Sequence, residues 1–274
     1  MRVYAALVYL FLYTPIAIIV LFSFSAGRHA SEFTGFSAQW YATAANNPFV
    51  MEALTNSLII ALSSASLATL FGTAASLALP RLKGVVRVLF DALTYIAIMV
   101  PGIVIGIATL IALVTAFGAI NPILAALWPG EAAVAPRLGL GYGSVICAHA
   151  LFAMSLVIVI VRARILGMDR TLVEASADLY ATPWGTFRQV TLPQILPAVL
   201  AGFLLSFTFS FDDFVIAFFV AGSNTTLPIY IFASIRRGIT PEVNAIGTAV
   251  LTLSLLLLFG SQILLRRGTP VGRH

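Results

Sequence analysis

Long apolar runs alternate with short polar interruptions along this chain, and the spacing of the interruptions predicts its architecture. Six runs, near 3–25, 53–79, 88–117, 143–162, 194–221 and 243–265, are each long enough to cross a bilayer. About 20 apolar residues at 1.5 Å rise per residue span the hydrocarbon core. The expectation is an all-α polytopic membrane protein with six transmembrane helices, forming a single transmembrane domain over 1–274. The first run is too long for the h-region of a secretory signal, about 7–15 residues, and is expected to stay as a membrane anchor.

Residue types inside the runs refine this picture. The second run carries Ser57, Ser63, Ser64, Ser66, Thr69, Gly72 and Ser76, small side chains that let helices approach closely in lipid. The third contains Pro101, Gly102 and Gly106, which predict a kink or unwound turn at about mid-membrane. Residues 118–143 form a Gly/Pro-rich external insertion, read either as a docking surface or as a solvated connector. The aromatics of Gly35–Tyr41 suit the membrane interface. Glu242 and Asn244 are placed to cap the sixth helix. Charged residues make up 9% of the chain and apolar ones 60%, whereas a soluble domain is about a quarter charged.

The net charge of +5 does not point to nucleic acid, because its distribution is topogenic. Eleven Lys/Arg residues fall in both tails and one set of alternate loops, against four (Arg28, Arg137, Arg236, Arg237) in the other. The positive-inside rule then puts both termini in the cytoplasm. Cys147 is alone in an apolar run, so neither a disulfide nor a metal framework is expected, and it reads as a packing residue. His149, in the fourth run, is expected to pack or to bond a neighbouring carbonyl.

One polar island, 162–193, stands out between apolar runs. Thr171-Leu-Val-Glu174 fits a capping box, and Thr182-Pro183 puts a favoured cap before a proline at the first helical position. Two short helices joined near Leu179–Tyr180–Ala181 follow. Leu179, Tyr180, Trp184 and Phe187 give them apolar surface, part of which must be covered by neighbouring membrane helices or by another chain. The order Glu174-Ala175-Ser176, Tyr180, then Val190-Thr191-Leu192-Pro193 resembles the EAA loop of binding-protein-dependent ABC importer permeases. Gly35–Tyr41, Leu205–Asp213 and Ser234–Asn244 look like the spermidine/putrescine-type members, in particular their second, C-type permease.

That resemblance implies a type I ABC importer permease fold in a bacterial inner membrane. The implied complex also contains a second permease of different sequence, an ATPase dimer and an external solute-binding protein. It further implies that residues 163–193 form the ATPase-coupling loop. Glu174, Ala175 and Ser176 take the EAA positions, Asp178, Leu179, Tyr180 and Ala181 the turn, and Pro193 the closing proline. Ser176 replaces alanine and Tyr180 replaces glycine. A positive φ is costly for a bulky residue, so the turn is expected to be built differently. Arg236 and Arg237 are expected to meet the solute-binding protein. Where related polyamine permeases carry an acidic residue after the third-helix proline, this chain has Gly102.

Asp212 and Asp213 lie inside the fifth run, where each charge costs ~2.5–3.5 kcal/mol at a helix centre, so the pair is a functional candidate. Ser206, Ser210, Asp213 and Ala217 share one stripe, which places Asp213 toward a wet pathway. Asp212 shares its face with Thr208 and Phe209, beside aromatics. A cation pathway, with cation–π help from Phe209, Phe211 or Phe214, competes with an interhelical bond or salt bridge. Neighbouring carboxylates on one helix point ~100° apart, which excludes an aspartyl protease. An ion-coupled carrier leaves the capped loop unexplained. The lone lysine, Lys83, has no P-loop context, so the chain is expected to be a transport subunit without cofactor, with ATP and Mg on the partner ATPase. A polyamine or similar cation is the expected solute; an amino acid derivative, an aminophosphonate or ferric iron remain alternatives.

Overall fold

The computed structural model describes residues 1–27, 32–131, 134–169, 171–238 and 240–267. Twelve α-helices follow one another among them: α1 (Arg2–Ser23), α2 (Gln39–Asn46), α3 (Pro48–Ala78), α4 (Gly84–Met99), α5 (Gly102–Leu127), α6 (Tyr142–Leu166), α7 (Thr171–Asp178), α8 (Pro183–Thr186), α9 (Leu192–Asp212), α10 (Val215–Val220), α11 (Leu227–Arg237) and α12 (Pro241–Arg267). A 3-10 turn, Leu79–Arg81, follows α3, and a π-helical turn, Phe187–Thr191, joins α8 to α9. Five stretches of the described residues are long and apolar enough to cross a membrane: Val3–Ser23, Pro48–Arg81, Gly102–Leu127, Tyr142–Leu166 and Pro183–Asp212. The sixth expected span is α12, Pro241–Arg267.

The chain forms two compact units, Met1–Thr55 with Thr225–His274, and Asn56–Asn224. In the first, α1 and α2 pack on α12. The aromatic cluster expected at the interface is locked by polar bonds. The Trp40 indole donates to the Ser25 carbonyl at 2.8 Å, and the Tyr41 and Ser23 hydroxyls meet at 2.7 Å. Asn47 donates to Glu242 at 2.8 Å, so this carboxylate ties α12 to the α2–α3 junction while sitting at the positive end of its own helix.

The second unit is built on α6. Its neighbour α3 presents the small residues noted above: a Cβ added at Gly72 would fall 2.8 Å from the Val157 Cβ. The Ser64 and Ser76 hydroxyls donate to the carbonyls of Ile146 and Ile158, each at 3.3 Å. The sequence offset is 82 in both, so α3 and α6 run parallel and the segment between them crosses back once. On another face α9 packs on α6 at Gly202 and Val157, around a core of Ala68, Ala153, Val157 and Val161.

Two expectations need correction, and one takes a definite form. The third run is unwound rather than kinked: Val100 and Pro101 are extended (ψ 133° and 136°), ending α4 and starting α5. Proline disfavours the α conformation of the residue before it. Helix α5 also carries Pro122 and runs to Leu127, so the insertion placed at 118–143 is helical over its first part. The fifth run likewise breaks, after Asp212.

Candidate functional site

Two features of the second unit bear on function, a polar arm between α6 and α9 and a pair of helix breaks. The arm starts where Asp169 accepts the Thr171 amide at 2.9 Å and its hydroxyl at 2.7 Å. Those two bonds, the hydroxyl's first, hold the Asp169 carboxyl below its usual pKa. Thr171 is thus the first helical residue of α7, held by the carboxylate before it, and not the cap of the expected box. At the second helix Thr182 does cap, accepting the Gly185 amide at 3.1 Å ahead of Pro183.

The turn between α7 and α8 departs from expectation. Tyr180 is left-handed, with φ 59°, alone among described non-glycine residues. Its amide donates to Ala177 at 2.9 Å and that of Ala181 to Ser176 at 3.1 Å. This is a Schellman ending with tyrosine at the position glycine normally fills. The glycine geometry is kept, at a cost of roughly 1–2 kcal/mol for an L-residue. Ser176, in place of alanine, bonds Thr186 at 2.8 Å and fastens α7 to α8. The Arg164 guanidinium donates to the Gln194 carbonyl at 2.8 Å, closing the arm at its base.

Leu179 is 81% exposed, Tyr180 96% and Trp184 68%, with Trp184 stacked on Phe187. Glu174, Ala175, Asp178, Ala181 and Pro193 are exposed as well. The apolar crown therefore finds no cover within its own unit. A cavity of about 720 Å³ in the other unit is lined by Phe49, Glu52, Tyr230, Arg236 and Arg237 among others. Neither arginine makes an ion pair among the described residues.

At the other feature, Asp213 ends α9 in extended geometry (φ −70°, ψ 118°) and its Oδ2 accepts the amides of Ile216 and Ala217 at 2.9 and 3.1 Å, starting α10. The same oxygen lies 3.2 Å from His149 Nε2, too oblique for a hydrogen bond, and His149 Nδ1 meets the Ser210 hydroxyl at 2.7 Å. His149 is 1% exposed and Ser210 4%. The α4–α5 break is adjacent, since a Cβ at Gly102 would lie 3.8 Å from Val215. At Gly106 the approach is closer still: a Cβ there would fall 2.7 Å from the Phe219 ring.

The stripe Ser206–Ser210–Asp213–Ala217 exists, but it faces α6 rather than water. Small residues in lipid mark close packing as readily as a wet path. Asp213, expected toward the pathway, is held by the α10 amides and lies against His149, while Asp212, expected beside aromatics, is exposed next to exposed Thr208. Phe209 stacks on Phe152 with centroids 4.3 Å apart, and Phe211 is buried. The His149–Ser210–Asp213 cluster was missed from sequence. Its one trace was a histidine in an otherwise apolar run.

Comparisons with known proteins agree with this architecture. Residues 68–268 match the binding-protein-dependent transport system inner membrane component family. The chain is 34% identical over 263 residues to the spermidine/putrescine transport system permease protein PotC of Escherichia coli K12, covering 96% of this chain and 92% of that protein. It is 36% identical to the Haemophilus influenzae PotC, covering 95% and 94%, and 35% identical to the putrescine transport system permease protein PotI of Escherichia coli K12, covering 88% and 82%. Among solved structures, a bacterial ABC transporter involved in import of the polysaccharide alginate superposes with a TM-score of 0.70 at 14% identity, covering 99% of this chain and 95% of that one. An amino acid ABC transporter gives 0.57 at 15%, covering 85% and 100%. Fold, matched region and relatives converge: the chain belongs to the binding-protein-dependent transport system inner membrane component family, as a multi-pass inner-membrane permease subunit of an ABC importer.

Proposed function

We propose that this subunit carries polyamines or a similar small organic cation inward, alongside a second permease of different sequence. An external binding protein delivers the solute, and a partner ATPase dimer holding ATP and Mg drives the cycle. The arm 163–193 is the handle on which that ATPase acts, with both termini on the same, cytoplasmic side. Its support is the uncovered crown of Leu179, Tyr180 and Trp184, which a water-facing loop would not retain without a partner to cover it.

The cation reading rests on Asp212. Its exposed carboxylate sits at the C-terminal end of α9, where helix carbonyls add negative potential. Asp212 makes no ion pair among the described residues, a carboxylate in a membrane span is a functional candidate by default, and an ammonium group complements it. The relatives named for spermidine and putrescine transport support the same solute class.

The test is ATP hydrolysis by the reconstituted complex over spermidine, putrescine, amino acids and neutral polyols. Amines are expected to stimulate most, and Asp212→Asn to cut that stimulation about tenfold, the loss of one charge-assisted contact of about 1.4 kcal/mol. Stimulation by neutral solutes alone, or an Asp212→Asn complex matching wild type, would overturn the assignment.

A further inference from the structure

We infer that His149 is a positioning residue of the translocation pathway, holding the α9–α10 break in the one geometry that presents Asp212. This deepens the role proposed for Asp212 and rests on it. Three independent contacts converge on the break. From α6, His149 reaches Ser210 on the last turn of α9 at 2.7 Å and Asp213 at 3.2 Å. Asp213 Oδ2 accepts the amides of Ile216 and Ala217 in the first turn of α10. From α5, Gly106 admits the Phe219 ring so closely that a Cβ would fall 2.7 Å from it. One imidazole therefore bridges the end of one helix and the start of the next.

The bridge has no substitute nearby. Helices α5 and α10 carry no ionisable side chain, and Asp213 meets no lysine or arginine in an ion pair among the described residues. Phe209, edge-on to the His149 ring at 6.2 Å and stacked on Phe152, closes one side of the cluster. Losing the imidazole leaves the Ser210 hydroxyl and Asp213 without their partner on α6. The dihedrals at Asp213 are then free to relax toward a continuous helix. Straightening α9 into α10 would swing α10 and its aromatic side chains against Asp212 at the end of α9, changing what surrounds that carboxylate. Asp213 thus shapes the site, and Asp212 meets the solute.

The experiment uses the reconstituted complex with the solute that stimulates it best, comparing His149→Leu, His149→Gln and Ser210→Ala. His149→Leu is expected to raise the half-saturating solute concentration about tenfold, with solute-independent ATP hydrolysis and assembly unchanged. The amide of His149→Gln, able to bond Ser210, restores most of the affinity, and Ser210→Ala shifts it about threefold. In parallel, Asp212→Cys in a Cys147→Ala background is titrated with a charged thiol reagent, and adding His149→Leu changes its rate at least about fivefold. That readout needs no solute, so it decides the inference even if no amine stimulates and the solute assignment fails. Unchanged half-saturation and thiol reactivity in His149→Leu overturn the inference. Should that variant not assemble, unchanged values for both in Ser210→Ala overturn it as well.

Discussion

Tyr180 combines a backbone conformation that tyrosine resists with a ring that its own unit leaves bare, so its substitution separates two effects. The side chain is 96% exposed at φ 59°. A fully covered tyrosine buries about 150–250 Å², which at ~25 cal/mol per Å² is roughly 4–6 kcal/mol. Half coverage in an ATPase cleft corresponds to about 2 kcal/mol, or about thirtyfold in affinity. Tyr180→Ala removes the ring but keeps the left-handed strain. It is expected to weaken ATPase association about thirtyfold without altering protection of the α7 amides from hydrogen exchange. Tyr180→Gly removes the ring and also relieves roughly 1–2 kcal/mol of strain, less about 0.5–1 kcal/mol for glycine's larger unfolded-state entropy. It should bind as poorly as Tyr180→Ala while the α7 amides exchange more slowly. Titrating the ATPase onto permease pairs in nanodiscs measures the first quantity, and hydrogen exchange the second. Wild-type affinity in Tyr180→Ala would show that the ring meets no partner, and the argument for the arm as a handle would fail with it.

Further outcomes follow from other contacts. Gly72→Ala sets a Cβ 2.8 Å from the Val157 Cβ and 3.1 Å from the Met154 carbonyl oxygen, so α3 must move off α6, and thermal unfolding in detergent should show a loss of about 1–3 kcal/mol. Ser176→Ala deletes the 2.8 Å bond to Thr186 and should loosen α7 against α8 by about 0.5–1.5 kcal/mol, seen as faster amide exchange in both helices with unchanged membrane spans. The Asp169 carboxyl is held below its usual pKa by Thr171. Its contribution to the start of α7 is therefore present above about pH 4, the ordinary aspartate value, and is lost as pH falls below that through the lowered one. Asp169→Ala should speed exchange of the arm at pH 7, and the difference from wild type should vanish once the carboxyl is protonated; a difference persisting at pH 2 would assign the effect to something other than the carboxylate.

Local chemistry in the sequence carried much of the arm. The cap at Thr182, the proline after it and the site of the turn were readable, because caps and turns depend on residues within a few positions of each other. The strained Tyr180 was not. Propensity predicts that tyrosine avoids φ > 0, yet the two Schellman bonds from Tyr180 and Ala181 and the Ser176–Thr186 bond over-determine the turn. The same limit appeared at Pro101, where the proline announced a break but could not say whether one span bends or two helices meet.

By itself the sequence determined the class of the molecule: apolar runs of spanning length, lysines and arginines concentrated in alternate loops, and an ordered polar arm. These follow from the cost of exposing backbone and charge to lipid, which acts on each segment independently of its neighbours. Which face of each helix is wet was decided only by the tertiary structure. A stripe of serines ending in Asp213 reads alike whether it borders water or another helix. Only the placement of His149 on α6, 64 residues earlier in the chain, turned that stripe inward and left Asp212 as the exposed carboxylate.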